Sequence, residues 1–232
     1  IVGDIVYSRG LFSEYLTNFW PVYNDVATPG PKTGAPLLQS TVLYPVLGNH
    51  DVAATNLGRT PDGFGAFYFF HPPLNGPKAP TLATPIGGTP AEVAAFKTAV
   101  GDTHPSLGIY SFDNGPVHFL CLDGNRQVHP ADPALTAFIE RDLTQTKAAW
   151  KFAFFHHPGF HSSSNHYTEQ KMRLLSPLFE KCGVDVVFAG HVHNYQRSKP
   201  LKFAPEDPAK VSAKGLVPGK FTLDEKFDGA KQ

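Results

Sequence analysis

VDVVFAGHVH, residues 184–193, is a short apolar run that ends in a glycine and two histidines. A second run, KFAFFHH at residues 151–157, also ends in two histidines, and both runs are rich in Val or Phe. Runs of this length and composition are typical of buried β-strands, and stretches with helical spacing separate several of them along the chain. This alternation predicts an α/β domain.

The remaining elements are predicted from the same patterns. A helix begins after Asp132 with Pro133 in its first turn, and it places Leu135, Phe138, Ile139 and Leu143 on one face. A second helix is predicted within residues 168–181, where Pro177 either kinks it or restarts it, and a third at residues 91–100. The candidate strands are 1–2, 41–47, 108–112, 117–122, 151–155 and 184–189.

Residues 51–90 are crowded with Gly, Pro, Asn and Thr and are too long for an ordinary connection within a compact domain. Stretches of this kind are lids, binding loops or insertions, and we expect this one to shape the mouth of a site. No internal repeat divides the chain. The sequence therefore predicts one domain over residues 1–232, with a loop-like tail at 204–232.

Composition excludes several classes of function. The 232 residues include 20 Lys and Arg and 20 Asp and Glu, and this zero net charge argues against a polybasic nucleic-acid or membrane-surface binder. No apolar run approaches the ~20 residues needed to cross a bilayer. Cys121 and Cys182 lie in or beside apolar runs, which indicates two buried free thiols and leaves the redox compartment open.

Four apolar runs each deliver polar side chains that can bind metals. In an open α/β sheet the carboxyl ends of neighbouring strands meet at one crevice, so these groups are expected to converge there. The sequence therefore predicts a centre of one or two metals. The runs and their polar residues are 1–3 with Asp4, 44–48 with Asn49 and His50, 152–155 with His156, and 186–190 with His191 and His193.

The donor types indicate the chemistry. A carboxylate such as Asp4 can bridge two cations, imidazoles suit zinc, iron and manganese, and the amide oxygen of Asn49 adds a neutral ligand. Tyr7 can supply a phenolate, which favours trivalent iron. Two metals ~3.5 to 4 Å apart would clamp a phosphoryl group and acidify a water, so phosphate-ester hydrolysis is the natural reaction.

Four segments also resemble, in order, four of the five motif blocks of the calcineurin-like metallophosphoesterases. They are GDIVY at 3–7, GNHD at 48–51, AFFH at 153–156 and GHVH at 190–193. Tyr7 and the continuation Asn194 to Arg197 are most similar to the purple acid phosphatase branch. The resemblance implies the four-layer α/β/β/α sandwich of that superfamily, here truncated at both ends. The family's first block, which carries an Asp ligand, would precede residue 1.

The resemblance also implies roles for single residues. Asp4 would bridge both metals, Tyr7 and His193 would bind iron(III), and Asn49, His156 and His191 would bind zinc, manganese or iron(II). His50 would contact the phosphate, with Asp51 orienting it. His166, by its spacing from His156, is the better candidate for the general acid, with His161 as a further loop histidine, whereas His157 is expected to point away.

The resulting hypothesis is hydrolysis of phosphomonoesters by in-line attack of a metal-bound hydroxide. A phosphodiesterase or nucleotidase of the same fold is the alternative within enzymes, and a non-catalytic phosphate-binding module is the alternative outside them. The expected partner is a small phosphate ester, with no nucleic-acid surface and no membrane span. The resemblance implies an extracellular or periplasmic location, while substrate identity and oligomeric state stay open.

Overall fold

The structure is a computed structural model, and it describes residues 1–25 and 29–227. Seven α-helices and six strands are formed within these residues, and a π-helical segment, Tyr15–Phe19, joins the first two helices. The helices are α1 Phe12–Glu14, α2 Trp20–Tyr23, α3 Ala66–Phe69, α4 Pro90–Val100, α5 Thr103–Ser106, α6 Pro133–Gln145 and α7 Ser176–Cys182. The strands are β1 Tyr110–Asn114, β2 Val117–Cys121, β3 Trp150–Phe154, β4 Val186–Phe188, β5 Leu201–Pro205 and β6 Gly219–Leu223.

The main sheet has four strands in the order β1-β2-β3-β4. The β1/β2 pair is antiparallel, whereas β2, β3 and β4 are parallel, with Phe154 opposite Phe188 at the end of the last pair. The predicted α/β class and the predicted strands near 108–112, 117–122, 151–155 and 184–189 are confirmed. Because β3 and β4 are parallel, the residues that follow them leave the sheet at the same edge.

Helices α6 and α7 cover one face of this sheet. The carboxylate of Asp132 caps α6 by accepting the N–H groups of Ala134 at 2.8 Å and Leu135 at 3.3 Å, as the sequence predicts. The predicted apolar face of α6 is buried against Leu120 and Ala153 of the sheet. This packing covers Leu120 of β2 and Ala153 of β3, whereas the three residues of β4 are exposed.

The Gly/Pro-rich stretch 51–90 packs into a second hydrophobic cluster. Its Phe64 and Phe67 are buried against Phe96 of α4, which confirms the predicted helix at 91–100. Tyr15 and Phe19 join the same cluster from the amino-terminal segment. This stretch therefore supports the chain around residues 4–19.

Residues 41–47, predicted as a strand, are not part of one. Two hydrogen bonds pair this segment with Ile1, from the Ile1 amino group to the Tyr44 carbonyl at 3.1 Å and from the Val46 N–H to the Ile1 carbonyl at 3.0 Å. Gly3 then turns the chain away at a φ of 85°. The pairing is too short to count as a ladder, but it brings Asp4 beside Asn49.

The prediction of a loop-like tail at 204–232 is wrong for part of this range, because β5 and β6 form an antiparallel hairpin with Phe203 opposite Phe221. The guanidinium of Arg173 lies over the rings of Phe203 and Phe221, at 5.8 and 5.4 Å from their centroids. These two strands are five residues long and one ends in proline, so their sequence pattern is weak. Tertiary contact with Arg173 and Leu174 stabilises them.

Cys121 and Cys182 are free and buried, which confirms the predicted thiols. Within residues 1–25 and 29–227, no helix has the length and apolar character that a bilayer span requires.

A buried histidine links β1, β2 and α6. His118 Nδ1 lies 2.7 Å from Asp113 Oδ1, and His118 Nε2 lies 2.8 Å from Asp142 Oδ2. Burial alone would lower the pKa of His118, but the two carboxylates outweigh burial and raise this pKa above its ordinary value. The hydroxyl groups of Ser111 and Thr146 donate to Asp142 and Asp113, so each carboxylate of the cluster also accepts a hydroxyl hydrogen bond.

We expect this cluster to make stability depend on pH. A raised folded-state pKa means that the contribution of His118 is fully present below its unfolded-state pKa and is lost as the pH rises through the folded-state value. The difference in unfolding free energy between the wild type and His118→Gln should therefore shrink as the pH rises above about 6.5, the ordinary value for histidine, measured by urea unfolding. His71→Gln is the control, because His71 Nδ1 faces only the Thr103 hydroxyl. A difference that stays constant with pH would contradict the expectation.

Candidate metal centre

The predicted ligands meet at the edge of the sheet where β3 and β4 end. His156 follows β3, and Gly190 N–H donates to the His156 carbonyl at 2.9 Å, so the segment after β4 runs beside it. The pairing of Ile1 with residues 44–46 brings the loops that carry Asp4 and Asn49 to the same place. The structure thus brings together all six predicted metal ligands, which are Asp4, Tyr7, Asn49, His156, His191 and His193.

The first donor group surrounds His156 Nε2. Three atoms lie at 3.1 to 3.2 Å from this nitrogen: Asn49 Oδ1, His191 Nδ1 and Asp4 Oδ2. His156 is 1% exposed, so water does not compete for these contacts. One N–H cannot serve three acceptors at once, and this arrangement is instead that of ligands around a cation.

The outer nitrogens of both imidazoles support this interpretation. His156 Nδ1 lies 2.7 Å from the Val2 carbonyl, and His191 Nε2 lies 3.0 Å from Glu169 Oε2. Since each acceptor takes a ring N–H, the neutral rings carry their protons on the outside. The lone pairs of His156 Nε2 and His191 Nδ1 then point into the centre.

The second donor group lies on the other side of Asp4. The Tyr7 hydroxyl is 3.0 Å from Asp4 Oδ2 and 3.1 Å from His193 Nε2. Asp4 Oδ2 therefore touches both groups, while Asp4 Oδ1 accepts the N–H of His50 at 3.0 Å. A carboxylate shared in this way is available to both donor groups.

Backbone strain is concentrated at the site. Five non-glycine residues of the described chain have a positive φ, and four of them carry site side chains: Asp4, His166, His191 and His193. Such conformations cost on the order of 1 kcal/mol each and persist where the surroundings enforce them. The chain is strained where these side chains are directed into the centre.

The ionisation states of the site side chains suit a bound cation. Burial opposes ionisation of Asp4, but hydrogen bonds from His156, His50 and Tyr7 hold the pKa of Asp4 well below its usual range. Burial together with the Asp4 carboxylate raises the pKa of Tyr7 to about 12. Desolvation lowers the pKa of His191, and the His156 and His166 rings add to this effect against Glu169.

Asp51 has a different role from the predicted one. Its carboxylate accepts the N–H groups of Ile5 at 2.9 Å, Val6 at 3.4 Å and Gly48 at 2.8 Å, and it is fully buried. Burial raises the pKa of Asp51 to about 6 in spite of these donors. Asp51 joins the two ligand-bearing loops, whereas His50 Nδ1 is held by the Ser8 carbonyl at 2.7 Å.

The two predicted catalytic histidines flank the centre. The His50 ring lies 4.5 Å from the Tyr7 ring, and the His166 ring lies 3.9 Å from the His191 ring. His161 Nδ1 is buried without a partner in the described structure. His157 does not point away as expected, because its ring lies 4.5 Å from that of His191. The chain has already left β3 at this point, so the alternation of strand side chains no longer applies.

Glu169 belongs to the site and was not predicted from the sequence. Its Oε1 lies 2.8 Å from His166 Nδ1, and its Oε2 lies 3.0 Å from His191 Nε2. The three-residue spacing between His166 and Glu169 was the available signal. The contact with His191 is long-range and leaves no trace in the sequence.

Known proteins share parts of this sequence. The family model described as calcineurin-like phosphoesterase matches residues 1–195. Purple acid phosphatase 21 of Arabidopsis thaliana is 36% identical over 111 residues, covering 46% of this chain and 25% of the relative. Purple acid phosphatase 17 of Arabidopsis thaliana is 25% identical over 233 residues, covering 93% of this chain and 59% of the relative.

The chain spans about a quarter of the length of several curated relatives, with 25%, 24% and 22% covered in three of them. Among solved structures, purple acid phosphatase PPD1 from yellow lupin (Lupinus luteus) seeds overlaps with a TM-score of 0.36 at 24% identity, covering 43% of this chain and 22% of that one.

Proposed function

Because the chain belongs to the calcineurin-like phosphoesterase family, we propose that it hydrolyses phosphate esters at a centre of two metal ions. One observation carries the proposal. The outer nitrogens of His156 and His191 face acceptors, so two imidazole lone pairs converge with Asn49 Oδ1 and Asp4 Oδ2. These donors fit a cation, and within the protein alone they would leave unpaired lone pairs facing one another.

We assign the ligands to two positions. His156, His191 and Asn49 would hold one ion, and their two nitrogens and one neutral oxygen suit zinc, manganese or iron(II). Tyr7 and His193 would hold the other, for which the phenolate favours iron(III). Asp4 would serve both positions through Oδ2. When bound, the two ions supply Lewis acidity toward phosphoryl oxygens and acidify a water.

The chain itself binds and orients the substrate. His50 donates Nδ1–H to the Ser8 carbonyl, so the ring protonated on both nitrogens would donate Nε2–H to a phosphoryl oxygen beside Tyr7. His166 has its Nδ1 fixed by Glu169, which leaves its Nε2–H free to give a proton to the leaving oxygen. We propose small phosphomonoesters as the substrates, since a monoester leaves three phosphoryl oxygens for two cations and His50.

Comparison of ester classes tests this proposal. The protein should be loaded with iron(III) and zinc and assayed on p-nitrophenyl phosphate, bis-p-nitrophenyl phosphate and nucleoside monophosphates. We expect the simple monoester to be turned over at least about tenfold faster than the diester, a difference of about 1.4 kcal/mol in barrier. A faster diester reaction would identify a phosphodiesterase, and preference for nucleotides would identify a nucleotidase. Metal binding without hydrolysis of any ester would indicate a phosphate-binding module.

A further inference from the structure

The Glu169 carboxylate lies between two imidazoles with different roles. Oε1 is 2.8 Å from Nδ1 of His166, the candidate proton donor, and Oε2 is 3.0 Å from Nε2 of His191, the candidate metal ligand. A carboxylate can accept one N–H on each oxygen at the same time, whereas no neutral side chain of that length can accept both. The ring centroids of His166 and His191 are 3.9 Å apart, so the single carboxylate of Glu169 can hold both rings.

The backbone around Glu169 is anchored. Its N–H donates to the His166 carbonyl at 2.9 Å, which closes a turn that sets the spacing of the two side chains. The next residue, Gln170, is buried, and its Oε1 accepts the Val217 N–H at 3.1 Å while its own N–H donates to the Gly215 carbonyl at 3.2 Å. Glu169 is therefore held by the segment that leads into β6.

A second metal site at this position is the competing interpretation. His157, Glu169 and His191 each offer an atom within 4.8 Å of the others. However, His191 already directs Nδ1 toward His156, and a neutral imidazole has only one lone pair. His157 Nε2 is also 3.9 Å from Glu169 Oε2, beyond hydrogen-bond distance. The geometry fits a carboxylate that accepts ring N–H groups.

We propose that Glu169 is a positioning residue that couples the metal ligand His191 to the proton donor His166. The inference rests on the proposed function. By accepting the Nε2–H of His191, Glu169 keeps the Nδ1 lone pair directed into the centre. By accepting the Nδ1–H of His166, it keeps Nε2–H directed toward the substrate. In the proton transfer, the His166 imidazolium breaks its Nε2–H bond, an O–H bond forms on the leaving oxygen, and the neutral ring that remains keeps its Nδ1–H, which it still donates to Glu169.

Glu169→Ala and His166→Ala separate the two contacts. The first readout is Zn²⁺ affinity measured by competition with a chromogenic chelator, and it needs no turnover. We expect Glu169→Ala to weaken Zn²⁺ binding by about 10- to 100-fold, the range found when a partner of a ligating histidine is removed. His166→Ala should leave the affinity unchanged. Since the Glu169 side chain is 42% exposed, its truncation opens no cavity in the core.

The second readout is the ratio of kcat for an alkyl phosphate to kcat for p-nitrophenyl phosphate, because only the poor leaving group needs a proton. Both single variants should lower this ratio, and the double variant should lower it no further than His166→Ala. Glu169→Gln should recover one of the two readouts, since an amide oxygen serves one imidazole. Glu140→Gln, which removes a surface carboxylate paired with Lys181, is the matched control.

The proposal is overturned if Glu169→Ala binds Zn²⁺ like the wild type, if His166→Ala loses the same affinity, or if the double variant multiplies the two single effects. Failure of the proposed function is seen separately, as absence of hydrolysis by the metal-loaded wild type. The affinity comparison still tests the contact with His191 in that case.

Discussion

Asp4→Asn is expected to lower the turnover of p-nitrophenyl phosphate by about a thousandfold, equivalent to roughly 4 kcal/mol of transition-state stabilisation. Asp4 Oδ2 is the one atom in contact with both donor groups, at 3.2 Å from His156 Nε2 and 3.0 Å from the Tyr7 hydroxyl. An amide has no charge to offset two cations. It also offers only one oxygen, whereas the carboxylate uses Oδ2 toward the two donor groups and Oδ1 to accept the His50 N–H. The variant should therefore hold fewer than two metal ions per chain.

Metal content and turnover should be measured together to check this. Wild-type protein stripped with a chelator should fall to the level of Asp4→Asn, and added metal should restore the wild type but not the variant. Asp207→Asn is the control, because Asp207 is an exposed carboxylate whose Oδ1 accepts only a local N–H, that of Ala209. An Asp4→Asn protein with two bound metals and wild-type turnover would refute the assigned bridge.

Sequence patterns correctly predicted the secondary-structure elements that have a clear local signature. The runs that became β2, β3 and β4 are short and rich in Val or Phe, and α6 has a capped start and a periodic apolar face, so these elements were found correctly although β4 is exposed. The metallophosphoesterase fold implied by the resemblance is confirmed by the family model over residues 1–195. The β5/β6 hairpin was missed because its stability comes from Arg173 and Leu174, which are distant in sequence.

The same distinction applies to the site. Residues directly after strands, such as His156 and His191, were found because parallel strands bring their carboxyl ends together. The role of Asp51 was misassigned, since its three backbone donors come from two loops whose approach no local pattern records. Glu169 was missed for the same reason. Donors at strand ends can be predicted from sequence, whereas the partners that orient them depend on how loops meet.

Gly48→Ala is expected to disrupt the centre although it changes no ligand. A Cβ on Gly48 would overlap the carboxylate Oδ1 and the backbone nitrogen of Asp4. Gly48 has no positive φ, so glycine is required here for space and not for conformation. The clash therefore falls directly on the carboxylate that we propose as the bridge.

The surroundings of Gly48 leave no room to relieve this overlap. Its N–H donates to the buried Asp51 Oδ2 at 2.8 Å, and its carbonyl accepts from Asn125 Nδ2 at 3.3 Å, so neither side of the residue can move away. We expect a loss of about 1 to 3 kcal/mol in unfolding free energy, as for other overpacked sites. A displacement of Asp4 by about 1 Å should also cost about a hundredfold in turnover.

Gly58→Ala is the matched control, because a Cβ there would meet only side-chain oxygens of Glu92 and Asn56, at 3.2 and 3.3 Å. It should leave metal content and turnover near the wild-type values. Urea unfolding, metal analysis and p-nitrophenyl phosphate turnover of both variants give the comparison. Gly48→Ala protein with both metals and full turnover would contradict this expectation. The close approach of Gly48 would then not position the Asp4 carboxylate, and Asp51 alone would have to hold the two ligand loops together.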